Sequence, residues 1–371
     1  MSDVLTRRAL GRATLERQLL LRRSPLSALE AVEHLVGLQA QVPGDPYLAL
    51  WARLDGFRPE QLSELVLARK VVRISLMRAT IHLVSADDCL RLRPLMQPVL
   101  DAELARHPEY GPALEGVELG AVLEAGREAL AERPLSGTEL RALLAERFPG
   151  ENAAALAYAC RCKLPLVQAP PRGVWARSAQ VTSFTANAWL GRPLEERPSL
   201  EEVLLRYLAA FGPATVADVT TWCRLTGLRE IVERLRPGLR TFRDEAGREL
   251  FDLPDAPRPD AATPAPTRFL PEYDNVLLSH ADRTRLVSDG ARGRARRAAG
   301  RIQGSVLHDG CLVGVWRLDR PKKDAAQLVV TPLERPTKRA TATIAAEGRR
   351  LLRLVADDAD RHDVRFERFE T

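Results

Sequence analysis

Lysine is nearly absent from this 371-residue chain: it stands only at positions 70, 163, 322, 323 and 338, and every other basic side chain is arginine. None of the five lies near a recognisable motif, and an enzyme working through a Schiff base would need an amine there. Cysteine is equally sparse. Cys89, Cys160, Cys162, Cys223 and Cys311 form no metal-binding spacing, and no histidine pair completes one, so buried thiols are expected and a metal is not. No apolar stretch reaches the length that spans a bilayer. Charges at Arg7, Arg8, Arg12, Glu16 and Arg17 interrupt any signal-peptide core, which points to the cytoplasm. Phosphate-cradling glycine loops and a nucleophile elbow are missing, and no paired carboxylates stand out, which argues against the commonest hydrolase and nucleotide-binding classes.

What is present is globular and basic. Apolar residues make up 45% of the chain, and the net charge of +6 favours a polyanionic partner. Arginine suits phosphate and bases better than lysine does. GC-rich coding gives the same bias, so the composition alone does not name the partner. Ser27-Ala28-Leu29-Glu30 is a capping box that opens a helix whose apolar stripe runs Leu29, Val32, Leu35, Val36 and Leu38, stopped by Pro43-Gly44. Short helices follow, then two strands within Val71 to Val84, and a cap at Ser85-Ala86-Asp87-Asp88. Helices followed by a hairpin are the winged-helix pattern. It recurs from the Ser136–Glu139 capping box to a hairpin of Leu166–Gln168 with Val174–Ala176. It recurs again from Leu200–Phe211 to a hairpin turned at Ala246-Gly247. The expected fold is therefore α+β. Winged-helix units occupy residues 1–110, 111–190 and 191–253, a proline-rich linker covers 254–267, and an α+β domain fills 268–371 with a hairpin turned at Asp309-Gly310.

Two amides flank an alanine in Gly37-Leu38-Gln39-Ala40-Gln41-Val42-Pro43, where the expected helix runs out. Alone, this triplet is common on helix surfaces. Together with Pro46-Tyr47 and Trp51, with Arg78-Ala79-Thr80-Ile81-His82-Leu83-Val84, and with Pro271-Glu272-Tyr273-Asp274-Asn275 through Arg283, it resembles the AlkZ family of DNA glycosylases. The resemblance runs from Leu5 to about Val364. It implies three tandem winged-helix motifs in a C-shape, with a β-rich C-terminal domain. It also implies a catalytic Gln-x-Gln, here Gln39 and Gln41. The related AlkX branch carries Asp at the second position, so Gln41 places the chain with the AlkZ branch and its bulky, natural-product adducts.

The implied activity is monofunctional excision of N7-alkylguanine adducts or interstrand crosslinks from duplex DNA, as self-resistance to an alkylating compound, by a nucleoid-associated monomer. No metal or organic cofactor is expected. His82 and Ser85 join the expected substrate- and DNA-binding set, although a backbone-bonded strand histidine and a helix cap are the plain alternatives. Arg292, Arg294, Arg296 and Arg297, closed by Arg301, read either as a phosphate-tracking segment or as a solvated loop. His308 and Asp309 sit at the tip of a hairpin that resembles the family's DNA-channel hairpin. Asp274 and Asn275 read mainly as turn caps. Two rival functions remain open, a winged-helix regulator without catalysis and an AlkX-like glycosylase for small N7-alkylpurines.

Overall fold

The computed structural model describes residues 3–298, 304–322 and 324–369. Among these the chain is α+β, with three sheets. The largest has six antiparallel strands in the order Leu38–Gln39, Ile81–Ser85, Val71–Ser75, Leu166–Gln168, Thr182–Thr185 and Leu135–Ser136. Arg73 pairs with Gln168 and Ile74 with Val167, so one sheet runs across the expected boundary at residue 110. A three-stranded sheet joins Val4–Leu5 to the hairpin of Arg240–Asp244 and Glu249–Asp252, which turns at Gly247 as its sequence suggests. The C-terminal sheet orders Arg268–Pro271, Gly304–His308, Cys311–Lys322, Ala325–Pro332 and Arg361–Phe366. Its last pair is parallel, bridged by the helix Lys338–Val355.

Two local expectations need correction. The helix after Ser27 keeps its capping box but spans only Ala28–His34. It closes with a Schellman motif: Gly37 N–H donates to Val32 O at 2.9 Å and Val36 N–H to Glu33 O at 3.1 Å. Val36 takes the left-handed position at φ 54°, where a β-branched residue is strained. Gly37, at φ 88°, lies so close to Val84 Cγ1 that a Cβ would sit 2.6 Å from it. The chain therefore leaves the helix early, and Gln39 lies on an edge strand instead of a helix end.

Val174–Ala176 is likewise not a strand, and the true partner of Leu166–Gln168 is Thr182–Thr185. Turns at Pro171 and Val174 curl the segment, and its apolar side chains pack on Tyr47, with Trp175 and Tyr47 ring centroids 4.9 Å apart.

The proline-rich segment is strapped to the first helix, Arg7–Arg17. Arg8 Nε donates to Ala261 O at 2.7 Å, Arg12 Nε to Thr263 O at 2.6 Å, and Arg17 Nε to Pro257 O at 3.2 Å. Arg17 also forks onto Asp252 at 2.6 and 2.9 Å, both side chains buried. Cys89, Cys160, Cys162 and Cys223 are buried thiols as expected, whereas Cys311 is exposed. Among the described residues no helix is long and apolar enough to cross a membrane.

Candidate active site

Residues directly opposed across a sheet share a face. Gln39 opposes His82, which opposes Ile74, which opposes Val167. Leu38, Leu83, Arg73 and Gln168 line the other face by the same register. Gln39 lies on the edge strand, and Gln41 stands two residues on, at a bend just past the strand's end.

Both reach the turn that joins Val71–Ser75 to Ile81–Ser85. Gln39, 7% exposed, accepts through Oε1 from Arg78 Nη2 at 2.6 Å. Gln41 is exposed and accepts through Oε1 from Ile81 N–H at 3.3 Å, while Ala40 N–H donates to Ile81 O at 2.8 Å. The side chain of Gln41 thus adds one rung beyond the end of the edge strand.

Arg78 is the hub. Its Nη1 donates to Trp222 O at 2.8 Å, and its Nη2 also reaches Asn275 Oδ1 at 3.0 Å and His82 Nε2 at 3.4 Å. Asn275 returns a bond from Nδ2 to Gly37 O at 3.2 Å. Burial, then neighbouring cations beginning with Arg224, pull the guanidinium down to about 10, so it stays charged at neutral pH. Arg78 and Ala79 hold φ of 58° and 55°, a left-handed pair in a non-glycine turn, which is the kind of strain that clusters at functional sites.

His82 is fully buried. Burial, then Arg78, hold its imidazole down at about 3, and Nδ1–H donates to Thr80 O at 3.0 Å. It is a neutral prop for Arg78. Ser85 is also buried, and its hydroxyl caps the next helix by accepting from Asp88 N–H at 3.2 Å. Both of these expected DNA-binding residues are buried and bonded within the fold.

Sequence reasoning named Arg78 only as part of a motif, without a role, and gave Asn275 mainly a turn. One signal was available: no Asp or Glu lies within eight residues of Arg78, so a hairpin-tip arginine had no local partner and needed a distant one.

On the opposite face, Asp45 is buried and its Oδ2 lacks a hydrogen-bond partner, as does Arg73 Nη1. Burial first, then Glu272 and Asp274, push the Asp45 carboxyl up to about 8. An unfolded aspartate titrates near about 4. Between those values the folded chain holds a proton that the unfolded chain has lost, so this group's stabilising effect is lost as pH rises. Asp45→Asn should therefore be increasingly more stable than wild type as pH climbs from about 4 to 8. Thermal midpoints across that range check it, and a constant or shrinking difference contradicts it.

The description "DNA glycosylase AlkZ-like" fits residues 32–354. The chain belongs to that family. One relative, the interstrand DNA cross-link repair glycosylase of Streptomyces sahachiroi, is 26% identical over 338 residues, covering 86% of this chain and 88% of the relative. The solved structure of Streptomyces sahachiroi DNA glycosylase AlkZ matches with a TM-score of 0.76 at 23% identity, covering 98% of this chain and 100% of that one. At that identity the shared property is the fold. As an AlkZ-like enzyme, this protein acts on N-glycosidic bonds in DNA.

The remaining expected DNA-binding residues of this AlkZ-like glycosylase are dispersed. The arginine run forms a helix, Asp289–Ala298, instead of a loop. Arg292 is exposed and pairs with Asp289 at 2.6 Å. Arg294 turns inward, donating from Nε to Leu333 O and lying 5.3 Å over the Phe369 ring. The side chains of Arg296 and Arg297, and all of Arg301, lie outside the described residues.

The tip of the Asp309-Gly310 hairpin is docked on the first helix. Asp309 pairs with Arg12 at 2.6 Å and Arg8 at 3.0 Å, and His308 Nδ1 meets Thr267 Oγ1 at 2.8 Å. A Cβ on Gly310 would meet Arg12 Nη1 at 2.2 Å.

Proposed function

We propose that this enzyme is a monofunctional glycosylase that removes bulky N7-alkylguanine adducts or interstrand crosslinks from duplex DNA, serving self-resistance to a DNA-alkylating natural product. On this reading three winged-helix units form a C-shaped cradle for the duplex, and the protein works as a monomer. The observation that carries it is the chemistry of the Gln39–Gln41 site: two neutral amides, Gln39 held on the Arg78 guanidinium and Gln41 on the Ile81 N–H, with no carboxylate among their hydrogen-bond partners in the described residues. The name of the Streptomyces sahachiroi relative supports the same substrate class.

An amide cannot deprotonate water. It can orient water and stabilise charge through its C=O and N–H groups. That suffices where the leaving group is already activated. N7-alkylguanine is a cation, and its glycosidic bond breaks toward an oxocarbenium ion without protonation of the base. Unmodified guanine needs an acid that the site does not hold, so selectivity follows partly from what is missing. No lysine is among the partners of Gln39, Gln41, Arg78 or His82 in the described residues, so the product is an abasic site, not a strand break.

The test is direct. Duplexes carrying methyl, mustard and antibiotic N7 adducts should lose the alkylated guanine, with strand scission only after heat or base. Survival of every adduct in single-turnover incubation with excess enzyme would falsify the reading. DNA affinity should also fall steeply with salt. Replacing Arg292, Arg296 and Arg297 by glutamine, with the inward Arg294 retained, should lower the slope of log affinity against log salt by roughly one for each phosphate left without its arginine. An unchanged slope would remove this helix from the DNA interface.

A further inference from the structure

The amide of Gln39 has an acceptor end and a donor end, and the fold commits them unequally. A guanidinium only donates, so the 2.6 Å bond from Arg78 Nη2 fixes the oxygen inward. Nε2 then faces away from Arg78, with no partner among the described residues. The arrangement around Nη2 is itself built. Asn275 Oδ1 at 3.0 Å and His82 Nε2 at 3.4 Å are the other acceptors, and His82 is held in the tautomer that leaves Nε2 free to accept, because Nδ1–H is spent on Thr80 O. All three acceptors are neutral, so no carboxylate there cancels the charge that polarises the amide. Two residues at positive φ hold Arg78 in place. A hydrogen bond to the oxygen of an amide also strengthens the donors on its nitrogen.

We propose that Arg78 is a positioning residue that makes Gln39 a dedicated hydrogen-bond donor to the departing purine. The inference rests on the glycosylase reading above and gives one amide a specific task in it. As the C1′–N9 bond breaks, its electron pair passes into the base, which changes from cation to neutral. The purine O6 and N3 gain electron density, and an N–H donor aimed at either holds the transition state more strongly than the substrate. Water then adds to the sugar oxocarbenium ion and gives its proton to solvent. Orienting that water is left to Gln41, the exposed amide.

Gln39→Glu separates donor from acceptor. The glutamate keeps an oxygen on Arg78 and gains an ion pair, but it replaces the donor NH2 with a second acceptor. A donor role predicts a raised thermal midpoint, unchanged affinity for undamaged duplex, and single-turnover release of N7-methylguanine slowed about 100-fold or more. The loss should persist as pH falls toward about 5, because Arg78 keeps the carboxylate ionised. Release within about tenfold of wild type would show that Gln39 works through its oxygen, and would overturn the donor role.

Arg78→Lys keeps a charge but not the fork. It should slow release at least about tenfold with duplex affinity intact, whereas wild-type speed removes the positioning role. A structural role alone would lower stability without this selective loss of rate. If wild-type protein releases no base from any adduct, the glycosylase reading fails. The pairing is then still decided by the thermal midpoint: Gln39→Glu should raise it in the Arg78 background and not in an Arg78→Met background. An equal shift in both would overturn the pairing.

Discussion

Gln39→Ala and Gln41→Ala should each slow single-turnover excision by about 100-fold or more, the range seen when one transition-state hydrogen-bond group is removed. Their effects on stability should differ, because their surroundings do. Gln41 is exposed and its one bond, to Ile81 N–H, lies at the end of an edge strand. Its removal should change stability by less than about 0.5 kcal/mol. Gln39 is buried against Arg78, so its truncation leaves a buried guanidinium short of one acceptor and should cost about 1–3 kcal/mol. Gln41→Asp places an anion beside the oxocarbenium ion and should excise small N7-methyl adducts at least as fast as wild type. A DNA-binding regulator would show none of this pattern. The comparison that decides is excision rate against duplex affinity for all three variants. Alanine variants that cut at wild-type speed, or that lose rate and affinity in equal measure, would end the catalytic role.

Much of the local fold is readable from short-range chemistry. The capping boxes at Ser27 and Ser136 form as written, because a hydroxyl and a glutamate three residues on satisfy each other's backbone groups wherever the chain goes next. The Asp309-Gly310 turn forms too, with both residues at positive φ. What fails is anything settled by distant partners. Leu35, Val36 and Leu38 continue a helical apolar pattern, yet the helix ends at His34 because Gly37 backs onto Val84 and Leu38–Gln39 pairs with Ile81–Ser85. The apolar character of Val174 and Trp175 reads as a strand but reflects packing on Tyr47.

The arginine-rich composition, read as a sign of a polyanion, is partly internal architecture. Arg12, Arg17, Arg53, Arg73, Arg93, Arg268 and Arg285 are all buried. At the candidate site, Gln39 and Gln41 stood out only through resemblance. The bond between Gln39 and Arg78 emerges from the register of three strands.

One of those buried arginines ties the site to the C-terminal half. Arg53 forks onto Asp274 with two 2.8 Å bonds, and both side chains are about 1% exposed. Arg53 also donates to Ala49 O at 3.1 Å and Gln18 Oε1 at 3.2 Å, and Asp274 Oδ1 accepts from Val276 N–H at 3.0 Å. The pair therefore holds the loop whose next residue, Asn275, bonds both Arg78 and Gly37. Asp274→Leu strands a buried cation and should cost about 3–5 kcal/mol. Arg53→Met strands the buried carboxylate and should also be strongly destabilising. The double variant Arg53→Met with Asp274→Leu should lose much less than the sum, because no unpaired charge remains. Denaturation midpoints for the four proteins measure this coupling, and strictly additive losses would mean the two side chains do not depend on each other. Excision should fall in the double variant even where stability recovers. The apolar pair fills the space but no longer caps Val276 N–H, and Asn275 loses the support that keeps it on Arg78.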